Sequence, residues 1–315
     1  MAGVLVFLVA SACLPRDPLA TSTTGIRTAR PEVSPPPIGG GDSRIAFASY
    51  RDGESEIFLL QLVPYGMTRL TDMSERVSKP SWSPDGTRIA LVVTDDQFNL
   101  DIYLMSADGS DLVRLTDQTW VDTEPTWSPD GMRIAFSTDR NSYVTIEEGT
   151  VYDFEIYTMN PDGSDQSNLT NMRGWDTAPD WSPDGEKIVY QSNRDGNPEI
   201  YLMKTDGSEQ TNLTTNPADD GGPSWSPDGR KVAFHSDRGG VFDIYVMNAD
   251  GTDLVKLTDS PDWDIGPSWS PNGELIAFYS ERDGNFEVYV MNADGSAEIR
   301  LTEHGDFDGF PDWHP

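Results

Sequence analysis

The sequence predicts an all-β fold assembled from repeats of four short strands. A seven-residue phrase recurs along the chain, as PSWSPDG at 80–86, PTWSPDG at 125–131, PDWSPDG at 179–185, PSWSPDG at 223–229 and PSWSPNG at 267–273. A sixth copy starts as PDWHP at 311–315. The six tryptophans of these phrases are separated by 45, 54, 44, 44 and 44 residues. A constant period near this length indicates a repeat architecture.

Each repeat contains four elements in a fixed order. A first strand ends at the tryptophan, a Ser-Pro-Asp-Gly turn follows, and an alternating apolar run such as RIAFST or KVAFHS forms the second strand. A polar loop leads to a third run such as EIYLMK or DIYVMN, and an Asp-Gly turn leads to a fourth run that ends in Leu-Thr. Glycine supplies the positive φ that these tight turns require. We therefore expect four antiparallel strands per repeat.

The two ends of the chain complete one repeat between them. Four-stranded units cannot bury both faces alone, so they pack around an axis as blades of a β-propeller. Counting back 44 residues from Trp82 reaches Ile38, in a stretch without a tryptophan strand, and PDWHP would supply the missing strand. The sequence thus predicts a six-bladed β-propeller of four-stranded antiparallel blades, closed by the C-terminal strand completing the first blade. The alternative is an open array with a spare strand.

The N-terminal residues predict export. Residues 1–13 hold an apolar run that is too short to span a membrane and is typical of an export signal. The single cysteine, Cys13, resembles the first mature residue of a bacterial lipoprotein. The alternatives are cleavage after Ala12 without lipidation, an uncleaved segment, and an incidental cysteine. Residues 14–42 are interpreted as a Pro/Thr/Ser/Gly-rich tether, and residues 43–315 as the propeller. We expect a periplasmic or extracellular protein, attached to a membrane only through a lipid on Cys13.

The charge of the chain excludes some kinds of partner. It contains 22 Lys and Arg against 53 Asp and Glu, for a formal net charge of -31. A nucleic-acid backbone would be repelled, and the chain lacks the polybasic segments that attract proteins to anionic bilayers. We expect a monomer that binds a protein partner and no nucleic acid. The excess of 17 arginines over 5 lysines, together with the acidity, is also compatible with adaptation to salt.

The repeated motifs resemble those of a known family. P-x-W-S-P-D-G followed by IAF, then IY-x-M-N-x-D-G and LT, is similar to the repeat of TolB-type β-propellers, a WD-like repeat of bacterial envelope proteins. The resemblance covers residues 43–315 and implies the fold more strongly than the function, because similar propellers also serve peptidases and pectate-oligomer lyases. TolB carries an α/β domain ahead of its propeller, and here the tether takes that place. The contacts that TolB makes through that domain are therefore not expected.

Five aspartates predict either a metal site or ion pairs. Each lies three residues before the proline of the phrase, and an arginine follows each 18 residues later, counted across the ring closure for the last pair. The pairs are Asp122 with Arg140, Asp176 with Arg194, Asp220 with Arg238, Asp264 with Arg282, and Asp308 with Arg51. The second blade has Val77 and Asp95 at these positions, so both partners are absent together. We favour structural ion pairs over metal ligands and expect no metal and no cofactor.

A second set of carboxylates occurs in all six repeats and is interpreted as structural. Its members precede the third strand, and we expect them to share the arginines of the first set. They are Glu56, Asp101, Glu155, Glu199, Asp243 and Glu287.

Aromatic residues outside the repeated phrase are the candidate binding residues. Trp120, Trp175, Trp263 and Phe307 fall in the loops between blades, where exposed aromatics anchor a protein or glycan, although packing between loops is the alternative. An insertion at 141–154 lies on the same face. The three histidines, His235, His304 and His314, are too scattered for the multi-histidine site of the propeller lyases, and no HExxH, GxSxG or P-loop motif occurs. We therefore predict a non-catalytic protein-binding module, with a carbohydrate-binding or carbohydrate-active propeller as the alternative.

Overall fold

Six four-stranded antiparallel sheets are arranged as the blades of a propeller, which confirms the predicted fold. The computed structural model describes residues 43–51, 53–140, 143–145, 149–151 and 153–315, with the backbone alone at 143–145 and 149–151. The predicted export segment, Cys13 and the tether lie outside the described residues. Within the described ranges, no helix is long and apolar enough to cross a membrane.

The strands are numbered β1 to β26 in chain order. Blade one contains β1 (Arg44–Ser49), β2 (Glu56–Leu62), β3 (Tyr65–Arg69) and, from the C terminus, β26 (Asp308–Trp313). Blade two contains β4 (Arg76–Trp82), β5 (Arg88–Thr94), β6 (Leu100–Ser106) and β7 (Val113–Arg114). Blade three contains β8 (Asp122–Trp127), β9 (Ile134–Thr138), β12 (Glu155–Met159) and β13 (Ser167–Asn168). The insertion of blade three forms a separate hairpin of β10 (Tyr143–Thr145) and β11 (Gly149–Val151).

The last three blades follow the same order. Blade four contains β14 (Asp176–Trp181), β15 (Lys187–Ser192), β16 (Glu199–Lys204) and β17 (Thr211–Asn212). Blade five contains β18 (Asp220–Trp225), β19 (Lys231–Ser236), β20 (Asp243–Asn248) and β21 (Val255–Lys256). Blade six contains β22 (Asp264–Trp269), β23 (Leu275–Ser280), β24 (Glu287–Asn292) and β25 (Ile299–Arg300). The fourth strand is shorter than the sequence pattern suggests, with two residues in blades two to six.

The repeated Ser-Pro-Asp-Gly turn is held by its own side chains. In blade two, Asp85 Oδ1 accepts hydrogen bonds from Ser83 Oγ at 2.6 Å and from the backbone N–H of Thr87 at 3.1 Å. Gly86 has a φ of 65°, a conformation that strains residues with a Cβ. Much of the acidity of the chain therefore serves these turns.

The hydrophobic core lies between neighbouring blades. The tryptophan that ends each first strand packs against residues of the preceding blade, as Trp269 does against Val246 and Trp225 against Leu202. Five of the six tryptophans are buried, whereas Trp181 in blade four is half-buried. Because each blade buries a face of the next, the contacts between adjacent blades contribute much of the stability.

The C-terminal strand closes the ring, as the sequence predicts. β26 pairs antiparallel with β1, in a register that places Ile45 opposite Trp313 and Ser49 opposite Asp308. Trp313 joins the core cluster between blades six and one. The backbone N–H of His314 donates to Arg44 O at 2.9 Å. The open-array alternative is therefore wrong.

A bulge interrupts every first strand around the axis. In each blade, the pairing of the first and second strands shifts register just before the tryptophan. In blade two the shift lies between Ser78 and Ser81, and in blade three between Thr123 and Thr126. One residue in each bulge has a positive φ; the six are Lys79, Glu124, Ala178, Gly222, Gly266 and Phe310. Bulges bend a strand and redirect a side chain. The six residues differ in chemistry, although the strands around them repeat.

Candidate functional site

The loop face carries the candidate site. We define it as the loops that join the second strand of each blade to the third, together with the loops that join one blade to the next. The opposite face carries the Ser-Pro-Asp-Gly and Asp-Gly turns and is called the turn face.

Five Asp–Arg ion pairs are present on the loop face. Their N–O distances lie between 2.7 and 3.0 Å, and the aspartate side chains are at most 1% exposed. The pairs are Arg51 with Asp308, Arg140 with Asp122, Arg194 with Asp176, Arg238 with Asp220, and Arg282 with Asp264. Burial raises the pKa of Asp308 to about 6, although the Arg51 guanidinium opposes this shift. In four of the five pairs, one oxygen of the aspartate is buried without a hydrogen-bond partner among the described residues. The neutralising arginine beside each carboxylate favours structural ion pairs over metal ligands.

Each of these arginines makes two further contacts that hold it in place. Arg238 Nε donates to Ser236 Oγ at 2.8 Å, and the guanidinium lies over the rings of Phe234 and Tyr245 at 5.5 and 5.1 Å. A Ser or Thr ends the second strand in all five blades with a pair. The hydroxyl and the rings fix the plane of the guanidinium, which orients it toward the carboxylate.

The second set of carboxylates pairs with different cations from those expected. In four blades the partner is a residue of the fourth strand or its equivalent, at 2.6 to 2.9 Å: Arg69 for Glu56, Arg114 for Asp101, Lys256 for Asp243 and Arg300 for Glu287. The expectation that these carboxylates share the loop arginines is therefore wrong. The physical reason is the register of the sheet, because the third strand pairs with the fourth and faces its side chains.

Blades three and four lack this cation. Asn168 and Asn212 stand at the positions of Arg114 and Lys256 in the pairing with the third strand. Glu155 accepts a hydrogen bond from Thr170 Oγ1 at 2.5 Å, and none of the described Lys and Arg residues pairs with it. Burial raises the pKa of Glu155 to about 7. Blade three thus contains a buried carboxyl group that changes its charge near neutral pH.

The axial bulges contain one ion pair, and one buried histidine lies against the bulge of blade five. Lys79 Nζ lies 2.5 Å from Glu124 Oε1, and the other oxygen of Glu124 accepts from the backbone N–H of Ala178 at 2.7 Å. His235 is 5% exposed, and burial lowers its pKa to about 4, so the ring is neutral at pH 7. Its Nδ1 has no hydrogen-bond partner among the described residues. A Cβ at Gly222 would lie 2.8 Å from the ring, so glycine makes the room.

The four predicted aromatic residues differ in their surroundings. Trp120 is 39% exposed, and the other three are half-buried. Trp263 packs edge-on against Phe242 with ring centroids 5.6 Å apart. Phe307 lies in an aromatic cluster with Tyr50, Tyr279, Phe286 and Phe310, at 5.5 to 5.9 Å. Of the four, Trp120 presents the largest exposed fraction to a partner.

Phe98 is a candidate that the sequence reasoning missed. It lies in the loop of blade two that has Asp95 in place of the arginine, and it is 59% exposed. Asp95 Oδ1 accepts from the backbone N–H groups of Gln97 and Asn99 at 2.8 and 2.9 Å, which leaves Phe98 at a φ of 62°. The absence of the Asp–Arg pair from this one blade was the signal in the sequence that could have identified the loop.

The loops of Phe98 and Trp120 are connected. Asn99 Nδ2 donates to Gln118 O at 3.0 Å, which joins the loop within blade two to the loop that leaves it. A cavity of ≈ 160 Å³ beside Phe98 is lined by Glu54, Glu75, Asp95 and Asp96, with Arg76 as the cation. Among the described residues, no group of three or more His, Cys, Asp and Glu side chains is placed to hold a metal ion. This part of the loop face is acidic and aromatic.

The fold and the loop face define an acidic six-bladed propeller braced by buried ion pairs. The chain belongs to the TolB beta propeller family, since the model of the TolB beta propeller domain matches residues 21–151, 142–220 and 214–315. A protein described as a Protein TolB homolog from Chlorobium luteolum is 33% identical over 170 residues, which is 50% of this chain and 33% of that protein. The chain thus matches a third of the length of this relative. The predicted family resemblance is confirmed.

Two solved structures are similar over most of the chain. TolB from Acinetobacter baumannii superposes with a TM-score of 0.77 at 24% identity, covering 87% of this chain and 68% of that one. The putative TolB from Agrobacterium tumefaciens superposes with a TM-score of 0.68 at 25% identity, covering 87% of this chain and 95% of that one. Because TolB from Acinetobacter baumannii is 24% identical to this chain, its similarity shows the fold alone.

Proposed function

We propose that this protein is a non-catalytic, protein-binding propeller of the bacterial cell envelope. It is exported, held near a membrane by a lipid on Cys13, and binds a partner protein through its loop face. The family resemblance and the export segment support the envelope location. The partner carries a basic surface, because a chain with a net charge of -31 attracts positive charge and repels other acidic proteins.

The observation that carries the proposal is the pair of exposed aromatic residues on two connected loops at blade two. Phe98 and Trp120 lie on loops joined by the hydrogen bond from Asn99, and the backbone N–H groups on either side of Phe98, those of Gln97 and Asn99, donate to Asp95 Oδ1. An exposed phenylalanine held at a positive φ is costly for an isolated molecule, and such strain concentrates at binding sites. A preorganised aromatic loses little conformational entropy when a partner covers it. Aromatic residues of this kind are the usual energetic centres of interfaces.

The test is capture of envelope proteins by the full chain and by two double variants. Phe98→Ala/Trp120→Ala removes the proposed anchors, and Met132→Ala/Val255→Ala removes two other exposed apolar side chains, 68% and 53% exposed, away from these loops. Proteins retained by the wild type are identified and purified. Each is then titrated individually against the wild type and against both double variants. Trp175→Ala/Trp263→Ala is titrated in the same series, and it also weakens binding if the interface extends along the face.

The proposal predicts a selective loss. Binding of the identified partner weakens by about 30-fold with Phe98→Ala/Trp120→Ala, which corresponds to about 2 kcal/mol for an interface centre. The Met132→Ala/Val255→Ala control binds as the wild type does, and added salt weakens the wild-type complex. Equal binding by the two double variants would place the interface elsewhere. Retention of envelope saccharide and no protein would replace the proposal with the carbohydrate alternative.

A further inference from the structure

A second cavity, of ≈ 550 Å³, opens on the turn face between blades three and four. Its volume falls within the range of small-molecule sites, about 300–1,000 Å³. Trp181 forms part of its wall and is half-buried, whereas the other five phrase tryptophans are 5–9% exposed. The cavity is therefore a feature of one blade interface and is separate from the loop face.

A single position of the repeat explains why this interface is open. In the other five interfaces, an aliphatic residue of the third strand packs in the same cluster as the tryptophan of the next blade. These residues are Leu59, Leu104, Leu202, Val246 and Val290. Blade three has Thr158 at this register, paired with Ser167 across the strands and hydrogen-bonded to it at 3.1 Å. The smaller, polar pair leaves Trp181 uncovered.

The neighbouring interface shows what fits against such a tryptophan. In blade two, the guanidinium of Arg88 lies over the ring of Trp127 at 4.7 Å. The corresponding residue of blade three, Arg133, is held away: its Nη1 donates to Asn160 Oδ1 and to Asp165 Oδ2, both at 2.8 Å. A guanidinium thus covers the ring of Trp127, whereas the corresponding guanidinium of Arg133 is bonded elsewhere and does not cover Trp181.

Three carboxylates line the same cavity as Trp181. Asp130, Asp184 and Asp206 line the cavity, and each uses Oδ1 to accept hydrogen bonds within its own turn. Their second oxygens make no hydrogen bond within the described residues. The turn hydrogen bonds lower the pKa of all three, so they are ionised at neutral pH. With Arg133 as the one cation in the lining, the cavity has a negative charge and an aromatic wall.

We propose that this cavity binds an organic cation bearing a guanidinium or ammonium group, placed against Trp181 and between the turn carboxylates. A cation over an indole ring gains quadrupole attraction, and the carboxylates add charge complementarity. The cation is either a free amine or the arginine side chain of a peptide. The proposal concerns the turn face and does not depend on the function proposed for the loop face.

Isothermal titration of the full chain tests the site with two probes, agmatine and the peptide acetyl-Gly-Arg-Gly-amide. The neutral molecule n-butylurea controls for the positive charge. Thr158→Leu/Ser167→Val installs the Leu104 and Val113 pair of blade two in the wall of the cavity, narrows the cavity and leaves the net charge unchanged. Thr211→Val, on the fourth strand of blade four and outside the cavity lining, is the matched control. Asp184→Asn provides a second variant that keeps the turn acceptor and removes one charge.

Agmatine is expected to bind one site, roughly tenfold or more tighter than n-butylurea, and to weaken roughly tenfold or more with Thr158→Leu/Ser167→Val. Asp184→Asn is expected to weaken binding several-fold, and Thr211→Val to leave it unchanged. A peptide affinity at least about tenfold above that of agmatine identifies a partner's arginine as the source, and the reverse order identifies a free amine. Equal agmatine binding by wild type and Thr158→Leu/Ser167→Val would overturn the proposal, because that binding is general attraction to an acidic surface. Absence of binding up to about 10 mM would also overturn it.

Discussion

Deleting Pro311–Pro315 tests whether the last strand holds the ring together. The deletion removes Trp313, which is 6% exposed in the cluster between blades six and one. It also removes Asp312, whose Oδ2 accepts from the backbone N–H of Trp82 at 2.8 Å, and the bond from His314 N–H to Arg44 O at 2.9 Å. Blade one then loses two of the four residue pairs between β1 and β26, and the backbone N–H of Trp82 in blade two loses its acceptor.

The expected cost follows from these contacts. A buried tryptophan removes about 200 Å² of surface from water, or about 5 kcal/mol at 25 cal/mol per Å². Each lost hydrogen bond adds about 1 kcal/mol. The sum, about 7 kcal/mol, is comparable with the total stability of a typical domain, about 5–15 kcal/mol. We therefore expect the truncated chain to be largely unfolded or to unfold at a much lower urea concentration.

Urea denaturation followed by circular dichroism measures the effect on the full chain and the truncated chain. Trp225→Ala is the matched control, because Trp225 is 7% exposed at an interface that the chain crosses continuously. It should cost about 3–5 kcal/mol, as a buried aromatic-to-alanine change does. A truncated chain with an unchanged midpoint, or one no less stable than Trp225→Ala, would refute the closure of the ring by β26.

Two further predictions concern buried charges. Asn168→Arg should lower the pKa of Glu155 from about 7. In the wild type, the raised pKa of Glu155 contributes stability below pH 4.5 that is lost as the pH rises through about 7. The free energy of unfolding of the variant should therefore be higher than that of the wild type at pH 8, by at most about 3 kcal/mol, and equal to it at pH 4. Equal denaturation curves at pH 8 would contradict this prediction. Arg238→Ala leaves Asp220, which is 0% exposed, without its cation and should cost about 3–5 kcal/mol at pH 7, whereas a loss below about 1 kcal/mol would show that the pair contributes little.

The period and the broken last phrase were sufficient to predict the fold. Tryptophans at a period near 44 residues define the repeat. The missing first strand of blade one is matched by the strand that remains at the C terminus. The Asp–Arg partners could also be identified by sequence, because both are lost together in blade two. Repeats allow this kind of comparison within one chain.

The cations of the second carboxylate set were missed although their spacing is regular. Arg69, Arg114 and Arg300 each follow their carboxylate by 13 residues, and a search for that offset would have found them. Thr158 was visible in the same way, as the one polar residue at an otherwise aliphatic position. The exposure of Phe98 was not, because it depends on how a short loop satisfies its own backbone.

The most direct test of the proposed function is hydrogen–deuterium exchange on the full chain, with and without the protein that it captures. Binding through the loop face predicts slower exchange in residues 95–99 and 117–121, and little change in the Ser-Pro-Asp-Gly turns. Protection confined to the turns, or no protection at saturating partner, would contradict the account.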